Sequence, residues 1–403
     1  MSQVKELVPN TKIKILIVDD SWVLRRVLRG TLSQRDDMEI VGEATNGVEA
    51  LEMVLNLEPD VILLDVEMPI MDGMTTLQHL MIHTPISTIM LSSLSKVGTA
   101  RCFDALKYGA VDFVSKDSFF KGMDGTAHSK LVTRKVLAAA GVSATLVDPV
   151  GELSRKAGTA KKKKVVFCEE CGTRNQVMNS SSEIRFIHCK NCGDEIAFEV
   201  DKRYRRMNYL TVIGAGESGY GNLLKIIPAL NPDMGGAIFV MIHDAPAHIK
   251  SFVNYLDTIS EFQVALGEDG VIVEGGCCYV FSGQDHVSLS SNSGQYRLQI
   301  GSRGESAENG AIDTLMASVA SFLGERASGV LLSGDMSDGN AGMQEVMHHH
   351  GMCMVLSPDY CLEKAMVENF ANEHSIETDV DETDLARKIQ ERHLLNKEHV
   401  VTA

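Results

Sequence analysis

The sequence predicts an α/β protein of two doubly wound parallel-sheet domains, joined through a small cysteine-bearing module. Three observations carry that reading. On both sides of the middle, continuous apolar runs alternate with helical patterns, as in sheets covered by helices on both faces. The 403 residues call for two or three cores, at ~100–200 residues each. The middle also differs in charge: Gly151 to Arg206 holds thirteen Lys/Arg against eight Asp/Glu, a net of +5 against −21 for the rest of a −16 chain.

The composition excludes several classes. A hydrophobic fraction of 44% with 23% charged residues is ordinary for a globular chain rather than a disordered one. No apolar run approaches the ~18–20 residues of a membrane-spanning helix. The opening MSQVKELVPNTK has no apolar segment of a secretory signal. We therefore expect a cytoplasmic protein without membrane insertion. The acidic balance argues against nucleic acid as a partner of the large domains. Nine cysteines without an export signal point to metal or free thiols rather than disulfides.

In the first segment, Ile13–Val18 reads as a buried strand ending at Asp19 and Asp20, followed by a helical pattern through Val23, Leu24, Val27, Leu28 and Leu32. A strand over 39–43 and a helix over 48–57 precede Val61–Leu64, which ends at Asp65. Two further strands end at Ser92 and Lys116. In parallel sheets, ligands bind beyond the carboxyl ends of the strands, which is where these five residues fall. Crowded carboxylates repel unless a hard cation joins them, and Mg²⁺ suits such oxygen ligands. A carboxylate beside Mg²⁺ can accept a phosphoryl group, whose charge the metal and a Lys offset.

Residues 11–130, with the Asp19–Asp20 pair, Asp65-x-x-Met68-Pro69, Asp72-Gly73, Ser92 and Lys116, resemble the receiver domain of two-component response regulators. The resemblance implies that Asp65 is the phosphoacceptor, supplied by a histidine kinase. It implies that Asp20 is a Mg²⁺ ligand and Asp19 its acidic partner. Ser92 would follow the phosphoryl group, Lys116 would pair with it, and Phe113 would occupy the aromatic switch position.

In the middle, Cys168-x-x-Cys171 and Cys189-x-x-Cys192 are separated by seventeen residues, a zinc-ribbon spacing. Gly172 and Gly193 follow the pairs and suit tight turns. Four thiolates leave no open coordination position, so the expected Zn²⁺ is structural. Two disulfides, or iron in place of zinc, are alternatives that spacing does not exclude. The run Lys161–Lys164 beside the ribbon could meet phosphates. Docking or spacing is the reading preferred over nucleic acid.

In the third segment, a strand over 209–213 runs into Gly214-Ala215-Gly216-Glu217-Ser218-Gly219 and then a helix. As written this is the dinucleotide fingerprint, with Asp244 placed to serve as the ribose acid. The remainder points elsewhere. His243 in Met241–Pro246, Tyr279–His286, Ala311-Ile312-Asp313, and Leu332-Ser333-Gly334 with Asp338-Gly339 resemble the catalytic domain of the chemotaxis methylesterase. That family hydrolyses glutamyl methyl esters on chemoreceptors. The resemblance covers 207–372 and places His243 as the base and Asp338 as its orienting acid.

The same resemblance puts Gly216 where the family elbow Gly-Ala-Ser-Thr-Gly-Gly has its nucleophilic Ser. Glu217 replaces the Thr and Ser218 the next Gly. Glycine has no group to form an acyl-enzyme. Ser218 is a candidate substitute, displaced about 200° around a helix axis from position 216, and Glu217 is another. Ser282, Gln284 and Asp335-Met336 also depart from the family pattern. The expectation is a chemotaxis-type response regulator whose output domain binds chemoreceptors or array proteins without hydrolysis. An active methylesterase/deamidase using a non-standard nucleophile, and a nucleotide module at Gly214–Gly219, are its competitors. The implied boundaries are 1–130 for the receiver, 131–164 for a linker basic at its end and 165–200 for the ribbon. The methylesterase-like domain takes 205–372 and an acidic, helical tail 373–403.

Overall fold

The computed structural model describes residues 12–92, 96–116, 125–141, 164–167, 174–177, 184–188, 195–199, 207–292, 295–302, 310–374, 376 and 378–401. The first domain alternates β1 (Ile13–Val18), α1 (Trp22–Leu32), β2 (Met38–Ala44), α2 (Gly47–Leu57), β3 (Val61–Asp65), α3 (Gly73–His83), β4 (Ser87–Ser92), α4 (Lys96–Lys107), β5 (Asp112–Ser115) and α5 (Gly125–Ala140). Its sheet order is β2-β1-β3-β4-β5, with every pairing parallel.

The strand alternation sorts the core onto two faces. Ile13, Ile15 and Ile17 share one layer with Leu24, Leu28 and Leu32 of α1 and Val132, Val136 and Ala139 of α5. Leu16 and Val18 face the other layer, with Ala50 and Val54 of α2. Ser21, Asn46 and Asp72 cap α1, α2 and α3, each accepting the N–H three residues on. The expected receiver boundary at 130 falls inside α5. The buried stripe Val132, Val136, Ala139 has helical spacing and belongs to this core, so the domain runs to Ala140.

Residues 148–205 form a compact unit of their own. Two antiparallel hairpins are described there: β6 (Lys164–Phe167) with β7 (Arg174–Val177), and β8 (Ile184–His188) with β9 (Glu195–Glu199). Cys168 and Cys171 fall between the strands of the first hairpin and Cys189 and Cys192 between those of the second, outside the described residues.

The second α/β domain contains β10 (Leu210–Ala215), α6 (Tyr220–Ala229), β11 (Ala237–Ile242), α7 (Pro246–Ile259), β12 (Gln263–Leu266), β13 (Cys277–Ser282), β14 (Asp285–Asn292) and β15 (Gln295–Ser302). It continues with α8 (Ala311–Leu323), β16 (Ala327–Leu331), α9 (Asn340–His348), β17 (Met352–Val355), α10 (Ala365–His374) and α11 (Glu382–Val401). The sheet order is β12-β13-β11-β10-β16-β17, all parallel, with β14 and β15 paired as a separate antiparallel ribbon. From β10 the chain first builds outward through β11, then returns to place β16 on the opposite side. The crevice beyond β10 and β16 is therefore the topological switch point, where doubly wound sheets bind ligands.

Within the acidic, helical tail expected at 373–403, helix α11 packs on the output domain. Val380, Leu385, Ala386, Ile389 and His393 are buried in the output-domain core. A stripe at this spacing needs a surface to cover it, and α6 supplies one. Among the described residues no helix is long and apolar enough to cross a membrane. Among the described residues, Cys102, Cys277, Cys278, Cys353 and Cys361 form no disulfide. His348, at the end of α9, and His350 are exposed.

Candidate functional site

The first site lies beyond the carboxyl ends of β1, β3 and β5. Carboxylate oxygens of Asp19, Asp20 and Asp65 lie within 4.8 Å of one another. Asp19 and Asp65 are buried, whereas Asp20 is exposed. Lys116 Nζ stands 2.7 Å from Asp19 Oδ2 and 2.6 Å from Asp65 Oδ2. Asp19 also accepts the Ser21 N–H at 2.8 Å, and Asp65 accepts the Glu67 N–H at 3.1 Å.

Burial, reinforced by the neighbouring Asp19 charge, pushes the Asp65 carboxyl up to about 6 despite the opposing Lys116. Burial would also strip Lys116 of its proton, but the two carboxylates hold its pKa above the ordinary value. Three carboxylates against one ammonium leave an excess of negative charge, and an all-oxygen donor set fits a hard divalent cation. Gly73 is obligatory here, because a Cβ at that position would fall 1.9 Å from the Asp65 carbonyl oxygen. Ser92 is buried at the end of β4, and Phe113 is half-buried in β5.

The second site occupies the switch-point crevice. His243, just past β11, places Nε2 2.5 Å from Asp338 Oδ2. Asp338 also accepts the Ile312 and Asp313 N–H groups, each at 3.0 Å, in the first turn of α8. Burial raises the Asp338 pKa, but hydrogen bonds from His243 and those two N–H groups outweigh it and hold it below the usual range. Asp313 braces the loop by accepting from Gly339 at 2.9 Å and Gly342 at 2.7 Å. Gly283 backs onto the imidazole, where a Cβ would fall 2.4 Å from His243 Nδ1. The expected His–Asp pair is thus assembled from residues 95 apart in sequence.

The elbow between β10 and α6 is different. The Gly216 N–H donates to the Ser333 carbonyl at 2.9 Å, and a Cβ at Gly216 would lie 2.9 Å from Gly334 Cα. Ser218 is buried, donating to Glu363 Oε2 at 2.8 Å and accepting from Ser333 Oγ at 2.8 Å. Its hydroxyl is committed to these partners and not to His243. The fingerprint glycines also answer to protein contacts. A Cβ at Gly214 would strike Ile312, and one at Gly219 would strike the Ala215 Cβ, each at 2.7 Å.

Several residues here escaped the sequence reading. Lys135 of α5 is buried, 2.7 Å from Asp112 and 3.6 Å from Glu217. Arg134 pairs with Asp335, and its Nε lies 2.9 Å from Glu363 Oε1. Tyr220 donates to Asp244 at 2.7 Å, and the same carboxylate lies 2.8 Å from His248 Nδ1. That last contact raises the His248 pKa. Asp244 to His248 is a legible i, i+4 spacing. Lys135 was also findable, because it falls inside the apolar stripe of α5. Glu363 gave no signal.

Residues 15–123 match the response regulator receiver domain family, and residues 211–389 match the CheB methylesterase family. The class is therefore a response regulator with a methylesterase-type output domain. The chain belongs to the protein-glutamate methylesterase/protein-glutamine glutaminase family. It is 30% identical over 342 residues to the member from Pyrococcus horikoshii, covering 85% of this chain and 83% of that one. With the Sulfurimonas denitrificans member it shares 32% over 335 residues, 82% and 84% of the two chains. Among solved structures, the Thermotoga maritima CheB methylesterase catalytic domain aligns at 25% identity with a TM-score of 0.43, over 45% of this chain and 97% of that one.

Proposed function

We propose that the protein is a phosphorylation-controlled chemotaxis response regulator whose output domain acts by binding and not by ester hydrolysis. The observation that carries this is Gly216. The residue at the family's nucleophile position has no side chain, and Gly334 occupies the space into which one would project. Removing a triad nucleophile costs most of the rate even when its partners stay in place. His243 and Asp338 then serve as a hydrogen-bonded pair that ties β11 to α8. Ser218, buried against Glu363 and Ser333, is a poor substitute.

In the receiver, a histidine kinase supplies the phosphoryl group to an Asp65 oxygen, breaking the donor's P–N bond as the O–P bond forms. Asp19, Asp20 and Asp65 would hold Mg²⁺, which supplies charge neutralisation when bound. Lys116 pairs with the transferred group, and Ser92 turns toward it. Cys168, Cys171, Cys189 and Cys192 would hold a structural Zn²⁺ in the insert. Relatives bear the name protein-glutamate methylesterase/protein-glutamine glutaminase. The partner we propose for this chain is accordingly a chemoreceptor or a protein of the signalling array.

The test is methanol release from methylated receptor, with a family enzyme run alongside. The expected result is no release above the receptor-only blank. Release at the family enzyme's rate, abolished in a Ser218→Ala variant, would overturn the reading in favour of a working esterase.

A further inference from the structure

We propose that Arg25 of α1 is a positioning residue for the acidic pocket of the receiver. It grips the backbone carbonyls of Asp19 and Asp20 and thereby aims their carboxylates at one divalent cation. The inference deepens the phosphoacceptor reading given above and rests on it. It does not depend on whether the output domain hydrolyses esters.

The three carboxylates are not equally fixed. Asp19 is buried, with the Ser21 N–H on Oδ1 and Lys116 on Oδ2. Asp65 is buried as well, with the Glu67 N–H on Oδ1 and Lys116 on Oδ2. Asp20 is exposed. Packing does not select its rotamer, so the direction of its carboxylate follows from where the backbone points its Cα–Cβ bond. That backbone lies in the turn between the end of β1 at Val18 and the start of α1 at Trp22. Arg25 reaches back across the turn. Its Nη1 donates to the Asp19 carbonyl at 2.6 Å and to the Asp20 carbonyl at 3.3 Å.

The grip is itself anchored. Arg25 Nε donates to Glu43 Oε2 at 3.1 Å, near the end of β2, and Glu43 Oε1 accepts from Arg29 Nε at 2.6 Å. One planar group therefore ties α1, β2 and the turn bearing the acidic pair. A guanidinium presents its donors in a rigid fork, so the place of Glu43 fixes the place of the two carbonyls, which a single ammonium on a flexible stem cannot do. A role through charge alone has the opposite sign. A nearby cation repels a divalent ion, so deleting such a charge tightens metal binding. Deleting a positioning group weakens it, because Asp20 is no longer held in line with its partners. Groups that orient metal ligands in this way carry about 10–100-fold in affinity. Arg29 separates the two roles: it bears the same charge one turn further along α1, and its guanidinium meets Glu43 and neither aspartate carbonyl.

The probe is Mn²⁺, which carboxylate oxygens take as they take Mg²⁺. It is titrated into the full chain without a phosphodonor, and binding is read as loss of the free-ion paramagnetic resonance signal. An Asp20→Asn variant sets the background. Arg25→Gln should bind about tenfold more weakly than the parent. Arg29→Gln should stay within about twofold, since an exposed charge is screened by salt. Arg25→Lys keeps the charge without the fork and should fall between these two. Parent-like or tighter binding in Arg25→Gln, even with a lower thermal midpoint, would leave Arg25 a packing or charge role and overturns the proposal. An equal loss in Arg29→Gln overturns it too. If Arg25→Gln does not fold, Arg25→Lys decides: weaker binding supports the grip, and parent affinity overturns it. A parent that binds no more Mn²⁺ than Asp20→Asn overturns the metal-pocket reading together with the proposal. Methanol release by the parent would overturn the non-catalytic reading of the output domain and leave this one standing.

Discussion

Gly216 and Gly334 meet backbone to backbone in the switch-point crevice: a Cβ at Gly216 would lie 2.9 Å from Gly334 Cα, and one at Gly334 would be tight, 3.1 Å from the Gly216 nitrogen. Backbone cannot swing aside as a side-chain tip can. Restoring the family serine as Gly216→Ser should therefore fail twice. It should not create methanol-releasing activity, and overpacking should cost about 1–3 kcal/mol. A thermal melt lower by several degrees, with the assay still blank, is the expected pair of results. A stable variant that releases methanol would show that the crevice still accepts the nucleophile.

The acidic pocket gives a direct expectation. Acetyl phosphate with Mg²⁺ should label the full chain and leave Asp65→Asn unlabelled. Chelating Mg²⁺ should abolish labelling, because Lys116 alone faces both Asp19 and Asp65 within 2.7 Å and must offset the incoming charge as well. Intact-mass measurement reads the added phosphoryl group, and its appearance on Asp65→Asn would move the acceptor elsewhere.

His393 sets a pH dependence. Its Nε2 bonds Thr211 Oγ1 at 2.8 Å, and Nδ1 packs against Gly236 with no hydrogen-bond partner among the described residues. Burial lowers its pKa to about 3. Above ~6.5, the pKa of an unfolded histidine, the group is neutral in both states and contributes nothing to the pH dependence. Below that value the unfolded chain binds a proton that the folded chain refuses. Stability should then fall by up to ~1.4 kcal/mol per pH unit until the folded pKa is reached. Urea unfolding at pH 7.5 and 5.5 checks this, and His393→Gln should show a shallower loss.

The four insert cysteines predict a metal stoichiometry. Metal analysis should find one zinc for each chain, lost in Cys168→Ser/Cys171→Ser. Because residues 148–205 form a separate compact unit, removing the metal should leave the main thermal transition in place while the insert loses its structure, as read by hydrogen exchange. Full-length protein with no bound zinc, or with iron, would replace the assignment.

The strands carrying the receiver pocket were legible because β1 and β3 are continuous apolar runs ending at Asp, and β4 and β5 carry shorter apolar runs that end at a polar residue. Asp19, Asp65, Ser92 and Lys116 accordingly needed no tertiary information to be placed together. His243 and Asp338 required the family pattern, since no local period links residues that far apart. Helices α5 and α11 extend the two cores past the expected bounds for a common reason. Amphipathic helices at domain ends look like linkers until the surface that buries Val136 or Ile389 is known.

By itself, then, the sequence determined the order and class of the domains, the placement of Asp19, Asp20, Asp65 and Lys116 at strand ends and the absence of a side chain at position 216. Those follow from local periodicity and residue chemistry, which act over a few residues. Only the tertiary structure decided that Gly334 backs onto Gly216, that Ser218 is turned toward Glu363, and that Lys135 and Arg134 reach the elbow. These depend on backbone approach and charge pairing between segments separated by 82 to 229 positions. Sequence spacing carries no distance information on that scale.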